Sequence, residues 1–247
     1  MRGLLLAGSV LLFAFVCGCA HYQTPGGGVS IPAITDGDVA DIMARKPAAT
    51  FPALMIVARV QASGYVSRSA YGYGTGNFSV LTTRDIETDD DFAFLASLPG
   101  VAAVGPLNRL LLPLDLRSTR DLRQAAAQLR GDIVLIYTID TKFHSENQLI
   151  GPVQLVTLGV FASEKSNIVT TCAAVLVDVR TGFVYGVAEG TATEMRRSSP
   201  WTTENAIEKA RLKTEREAFS SAMKEVAKVW SSINAQYSRA TVALREG

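Results

Sequence analysis

Three cysteines and two histidines are the side chains of this 247-residue chain best suited to nucleophilic or metal chemistry. His21 and His144 lie far apart, and neither has a second histidine or a cysteine at the spacing of a zinc site. Cys172 lies inside an apolar segment, where a buried and unreactive thiol is expected. The chain also lacks the Gly-x-Ser-x-Gly pattern of many hydrolases. We therefore predict no catalytic residue, no metal site and no dissociable cofactor.

Acidic side chains are densest between Asp85 and Asp91. A calcium loop needs alternating ligands, a glycine at its sixth position and a distant glutamate, and this segment lacks that pattern. Acids at the start of a helix are stabilised by the helix dipole, so we predict that this group caps a helix. Asp132 and Asp140 bracket a predicted strand, and such a pair keeps an envelope hydrolase with an unrecognised site open as an alternative function.

A second acidic position is predicted to organise a turn. In Asp178-Val179-Arg180-Thr181-Gly182 we expect the carboxylate of Asp178 to accept hydrogen bonds from the turn amides, with Thr181 beside it. Gly182 supplies the left-handed backbone conformation that such a turn needs. We interpret these three residues as structural.

The bulk composition indicates one globular domain with a sizeable core. The chain has 24 basic and 23 acidic residues, and 48% of its residues are hydrophobic. A charge so close to balance gives no reason to expect nucleic acid as a partner.

The amino terminus has the pattern of an export signal. Arg2 precedes an almost unbroken apolar run from Leu4 to Val16. This run of about 13 residues is shorter than the roughly 20 that span a bilayer core. A short apolar segment behind a basic start is typical of a signal peptide.

The end of this segment, Val16-Cys17-Gly18-Cys19, resembles the bacterial lipobox. The resemblance implies cleavage after Gly18 and a covalent lipid on Cys19. Cys17 stands where the family usually has serine, alanine or threonine. The alternative is an ordinary secretory signal cleaved after Ala20. Since Ala20 follows the lipidated cysteine, the resemblance also implies sorting to the periplasmic face of the outer membrane, with retention at the inner membrane as the alternative.

Four segments follow from these patterns. Residues 1–18 are the lipoprotein signal peptide, and residues 19–50 are the lipidated cysteine and a flexible tether. Residues 51–232 form a single α/β domain, and residues 233–247 are a frayed tail. Because Cys17 leaves with the signal and Cys19 carries lipid, Cys172 is the only thiol left, and an internal disulfide is excluded.

The domain is predicted to be an α/β fold: a mixed β-sheet with packing helices. Its parts are a buried first strand, one strand–helix–strand crossover unit, a β-hairpin and a long C-terminal helix. The first strand is Ala53–Val60, and Asp132–Asp140 is the central strand. Residues 144–167 are predicted to form a strand pair or a projecting hairpin.

This order of elements resembles the periplasmic lipoproteins that share the fold of the TolB amino-terminal domain. That group includes the curli secretion lipoprotein, the peptidoglycan-synthase activator lipoproteins and PelC. The resemblance is carried by Arg130-Gly131-Asp132 before the central strand and by Asp178-Val179-Arg180-Thr181-Gly182 after a later one. It covers residues 51–232. In the curli protein a membrane-spanning insertion occupies the place of residues 144–167.

The resemblance implies a non-catalytic interaction or assembly module of the envelope, anchored to the membrane by its lipid and bound to another envelope protein. The second hypothesis is a secretion or pore-associated subunit, for which a homo-oligomer of this chain is an expected partner state. An envelope hydrolase is the third.

Overall fold

The computed structural model of the chain describes residues 27–30, 39–147, 164–198 and 204–246. Four helices and eight strands occupy these ranges. The helices are α1 (Val39–Ala44), α2 (Asp89–Ala96), α3 (Thr119–Gln128) and α4 (Glu204–Glu246), with a 3₁₀ turn at Arg109–Leu111. The strands are β1 (Ala53–Ala62), β2 (Thr75–Gly76), β3 (Phe78–Leu81), β4 (Val101–Pro106), β5 (Asp115–Leu116), β6 (Ile133–Asn147), β7 (Glu164–Asp178) and β8 (Val184–Ser198).

The main sheet has six strands and mixed direction. Its path is β3-β1-β6-β7-β8, and β4 pairs with β1 on the same edge as β3. Strand β1 runs parallel to β4 and β6 and antiparallel to β3, while β6, β7 and β8 are successively antiparallel. Strands β2 and β5 form a separate parallel pair. The prediction of a mixed α/β fold is confirmed.

Two apolar layers cover the sheet. One layer lies under α4 and α2, and its largest buried side chains are Met55, Tyr137, Phe219 and Trp230. The other lies under α3 and the loop that precedes it, around Ile56, Val134 and Leu122. Because β1 and β6 contribute alternate residues to both layers, they carry the continuous apolar runs expected of strands covered on both faces.

Capping residues define the starts of the two middle helices. Thr88 and Asp91 form a reciprocal capping box at α2, and Ser118 and Asp121 do the same at α3. The helical spacing before Gly131 predicts this glycine as the left-handed residue that ends α3, but Arg130 adopts that conformation, with a φ of 60°. A side chain at Gly131 would instead lie 2.6 Å from Ile56, so close packing on β1 is the reason for this glycine.

Helix α4 is the longest element, with 43 residues. A break is predicted where the apolar stripe weakens around Lys213 to Glu217, but the helix is continuous there. It also continues to Glu246, within residues 233–247, for which the sequence predicts a frayed tail. No helix in the described part of the chain combines the length and apolarity that crossing a bilayer would require.

The predicted hairpin is confirmed for β7 and β8. Strands β7 and β8 pair from Val177 and Val184 to Glu164 and Ser198. Residues 144–147 extend β6 and pair with residues 164–167 of β7. The remainder of the predicted projecting segment, residues 148–163, lies outside the described residues.

Candidate functional site

The turn after β7 is organised by the Asp178 carboxylate. Its Oδ1 accepts hydrogen bonds from the backbone amides of Arg180 at 2.8 Å and Thr181 at 3.0 Å. Gly182 has a φ of 72°, and its amide donates to the carbonyl of Asp178 at 2.9 Å. The Thr181 hydroxyl accepts from the amide of Phe183 at 3.2 Å. All three residues of the predicted turn therefore act on the backbone.

The second oxygen of Asp178 connects this turn to the segment before β1. Oδ2 accepts hydrogen bonds from the amides of Ala48 at 2.7 Å and Ala49 at 2.8 Å, and from the Tyr185 hydroxyl at 2.8 Å. Burial and the bond to Asp178 raise the pKa of Tyr185. A fully buried carboxylate with this set of donors has no capacity left for a substrate. The contacts also show that residues 48 and 49 pack against the domain.

A cluster of buried charged side chains lies where three elements meet: β1, the segment before α2, and α4. We call it the ionic cluster. It consists of two arginines, four carboxylates and a tyrosine: Arg59, Asp85, Glu87, Tyr137, Glu208, Arg211 and Glu215.

Arg211 is the centre of the α4 side of the ionic cluster. Its Nε and one terminal nitrogen bind both carboxylate oxygens of Glu208, at 2.9 and 2.7 Å. Its other terminal nitrogen donates to Glu215 at 2.7 Å, and Nη2 also donates to the Ser69 hydroxyl at 2.9 Å. Burial lowers the pKa of Arg211, but these carboxylates raise it by more, so the guanidinium stays charged. Planar bidentate pairing of this kind is geometrically specific.

Arg59 organises the opposite side of the ionic cluster. It donates to Asp85 at 2.6 Å, and its guanidinium also lies 3.5 Å from a carboxylate oxygen of Glu87 and of Glu215. The Tyr137 hydroxyl donates a short hydrogen bond to Glu87. Burial, reinforced by the charge of Glu87, raises the pKa of Tyr137, which therefore keeps its proton at neutral pH.

The burial of the ionic cluster decides what it can do. The side chains of Arg59, Arg211 and Glu215 are 2%, 0% and 2% exposed. A dissolved substrate cannot touch these atoms while α4 is in place. The bonds instead fix the segments around Ser69 and Asp85 onto α4. The geometry supports a structural role, in which charge pairing orients the long helix on the sheet.

The other sequence candidates remain apart. Asp132 accepts from the amide of Leu54 at 3.0 Å, whereas Asp140 lies in the middle of β6, roughly 26 Å further along the strand, and pairs with Lys142. Cys172 is a free, buried cysteine, and burial raises the pKa of its thiol to about 12, so it is a poor nucleophile. In residues 27–30, 39–147, 164–198 and 204–246, no His, Cys, Asp and Glu side chains are grouped to hold a metal ion. Of the predicted signal and lipid-site residues, Val16, Cys17, Gly18 and Cys19 all lie outside the described residues, as does His21.

Strand β8 presents an accessible face of the sheet. Its inner face packs on α4, and alternate residues of its outer face are exposed, including Val187 at 69% and Met195 at 84%. Among the described strands only β7 pairs with β8, so within that part of the chain the second edge of β8 carries unpaired backbone donors and acceptors. Such an edge is a template for pairing with another chain.

The sequence did not predict the ionic cluster or the unpaired edge of β8, because both depend on the tertiary structure. Arg211 and Glu215 were recognisable as an i,i+4 pair, which at a surface has minor energetic worth. Only the tertiary structure buries that pair and brings Arg59 to it.

No family model matches the chain, and no curated protein matches it. Solved structures do show distant similarity. The PelC dodecamer from Paraburkholderia phytofirmans is 14% identical, with 76% of this chain and 94% of that chain covered and a TM-score of 0.28. Lipoprotein GNA1162 from Neisseria meningitidis is 12% identical, with 65% and 93% covered and a TM-score of 0.33. A putative neuraminyllactose-binding hemagglutinin homolog from Helicobacter pylori is 10% identical, with 77% and 94% covered and a TM-score of 0.39. Similarity at this level does not extend to function or assembly.

Proposed function

We propose that this chain is a lipoprotein of the bacterial envelope, anchored through Cys19 to the periplasmic face of the outer membrane, and that it acts as a non-catalytic interaction module. The observation that carries the interaction role is the free edge of β8. The amino-terminal sequence supports the anchor.

The β8 edge is suited to binding an extended segment of another envelope protein. Strand addition uses main-chain hydrogen bonds for affinity and alternate side-chain positions for specificity. Strand β8 is braced for this role, because β7 pairs along one edge and α4 packs on its inner face. Binding therefore costs little ordering of β8 itself.

Loss of the anchor is expected when Cys19 is replaced. In Cys19→Ala no thiol is available for the thioether, so the protein should remain unprocessed or be released as soluble material while the domain still folds. Fractionation of the envelope and mass spectrometry of the amino terminus measure this. Unchanged membrane retention of the variant, or a wild-type amino terminus without lipid on residue 19, would count against the anchor.

The β8 edge should crosslink to a second envelope protein in the native membrane. A photoreactive amino acid at Thr191, in the otherwise unaltered lipidated chain, is expected to give a discrete adduct that mass spectrometry identifies. The matched control is the same amino acid at Lys224, which is exposed on α4 and should give no such adduct. Equal adducts at both positions, or none at Thr191, would sink the proposal for this edge.

A secretion or pore-associated subunit is the second candidate, and one observation favours it. Strands β6 and β7 remain paired to Asn147 and Glu164, well beyond Tyr137, the last residue of β6 that pairs with β1. A three-stranded extension of this kind is suited to contacts between copies. An adduct at Thr191 that contains only this chain would favour this candidate over a separate partner.

A further inference from the structure

Two leucines point into solvent from the loop between β4 and α3. Leu110 is 86% exposed and Leu114 is 64% exposed. Leu112, which lies between them, is buried in the apolar layer under α3. The loop therefore already contributes leucine to the core, and the two exposed side chains have no packing role in the described domain.

The loop is held in a fixed shape, so these leucines are presented by a structured surface. Asn108 caps the 3₁₀ turn by accepting from the amide of Leu110 at 2.9 Å. The Tyr73 hydroxyl donates to the carbonyl of Leu112 at 3.3 Å, and the amide of Thr75 donates to the carbonyl of Leu114 at 2.6 Å.

Gly74 allows the closest approach in this region. It has a φ of 93°, and a side chain there would lie 2.4 Å from Leu116. Only glycine combines this backbone conformation with so little space. The pairing of residues 75–76 with 115–116 thus depends on it.

Residues 27–30, the first described part of the chain, lie on the side of the sheet where this loop lies. Val29 packs against the apolar layer that contains Leu112, and its amide donates to the Thr138 hydroxyl at 3.0 Å. The carbonyl of Gly27 accepts from the amide of Ala62 at 3.3 Å. Ala62 also pairs with Phe78. Phe78 follows the segment of Gly74 and Thr75 whose amide binds the Leu114 carbonyl.

The length of chain before this point limits how far the domain can be from the lipid. Gly27 lies eight positions after Cys19, a distance that the fully extended chain spans with at most about 29 Å. A short tether gives the loop a high effective concentration at the membrane surface. Two leucines that would bind a bilayer weakly by themselves can then be held there.

The charges around the leucines also favour a phospholipid bilayer as the ligand. Arg109, Arg117 and Arg120 are exposed. Asp115 pairs with Arg117 at 2.6 Å and Asp121 caps α3, so these three arginines and two acids leave one net positive charge beside the leucines. Exposed arginines beside apolar side chains match a layer of anionic headgroups over acyl chains.

We propose that Leu110 and Leu114 insert into the phospholipid surface that carries the Cys19 lipid, with Arg109 at the headgroups, and so set the orientation of the domain on the membrane. This inference rests on the lipid anchor of the proposed function. It leaves the β8 edge free for a protein partner, because the loop and β8 belong to opposite ends of the strand order.

The test uses the full lipidated protein in vesicles of phosphatidylethanolamine and phosphatidylglycerol that contain nitroxide-labelled lipid. Leu110→Cys, Leu114→Cys and the control Ser232→Cys each carry an environment-sensitive fluorophore. Cys172 is buried and stays unlabelled, and Ser232 is exposed on α4, across the sheet from the loop. Flotation of the vesicles reports the anchor separately from the quenching.

Quenching at positions 110 and 114 should exceed that at position 232 severalfold, and Arg109→Glu should reduce it. Equal quenching at all three positions in protein that floats overturns the inference and leaves the anchor standing. Protein that fails to float overturns the anchor. An emission shift at position 114 that appears without bilayers only as the protein concentration rises identifies a second copy as the occupant and also overturns the inference.

Discussion

Arg211→Met is expected to lower the free energy of unfolding by about 3–5 kcal/mol, although it places an apolar side chain of similar length in a buried position. The guanidinium of Arg211 is fully buried and pairs with Glu208 and Glu215. Methionine fills the space but leaves both carboxylates without their cation. Removing one member of a buried ion pair costs more than replacing the whole pair, because the remaining charge stays desolvated.

Urea unfolding followed by tryptophan fluorescence, to which the buried Trp230 contributes, measures this change. Lys213→Met is the matched control: it removes a cation from the same helix at a side chain that is 57% exposed, and surface pairs are worth about 0–1 kcal/mol. The triple variant Arg211→Met, Glu208→Gln, Glu215→Gln should recover part of the loss. If Arg211→Met and Lys213→Met were equally stable, Arg211 would not compensate buried charge.

The C-terminal helix shows which features a local sequence pattern can predict and which it cannot. The apolar residues around Ala218 to Trp230 predict a helix packed on the sheet, and that is observed. The weak apolar stripe between Lys213 and Glu217 indicated a break, because polar residues on an inner face normally end burial. Here Glu215 is buried beside the guanidinium groups of Arg59 and Arg211, while Lys213 and Glu217 stay exposed. Arg59 and Asp85, the groups that make this possible, are more than 120 residues earlier in the chain, beyond the reach of any spacing rule.

The turns were predictable for the opposite reason. Asp178 and Gly182 act on amides within a few residues of themselves, so their roles can be predicted from neighbouring residues in the sequence. The same holds for the Ser118 capping box. The contact of Asp178 with residues 48 and 49 was not predictable, because it joins segments about 130 residues apart. The free edge of β8 depends on strand order, which is likewise a property of the whole sheet.

Strand β8 can act as a rigid edge only if α4 lies directly against it, and one glycine makes that approach possible. An added side chain at Gly190 would lie 2.3 Å from the amide nitrogen of Ala222 and 2.6 Å from the carbonyl oxygen of Ala218. Both atoms belong to the backbone of α4, which cannot yield as the tip of a flexible side chain can. The helix as a whole has to move away from the strand.

Gly190→Ala is therefore expected to destabilise the domain by about 3 kcal/mol, at the upper end of the usual cost of overpacking. Urea unfolding measures this, and the fluorescence of Trp230 in the folded state reports whether α4 has shifted. Gly105→Ala is the control: it is also a strand glycine, and its added methyl group would meet only the end of Ile56 at 4.0 Å. That variant should unfold at the same urea concentration as the parent or at a slightly higher one.

The same variant connects packing to the proposed function. If α4 braces β8 for strand addition, Gly190→Ala should also reduce the crosslinking of Thr191 in the membrane under conditions where the domain is still folded. Gly105→Ala should leave that crosslinking unchanged. A Gly190→Ala protein as stable as the parent would mean that α4 does not rest on β8 as closely as its backbone contacts indicate, and the argument for a pre-ordered edge would lose its basis.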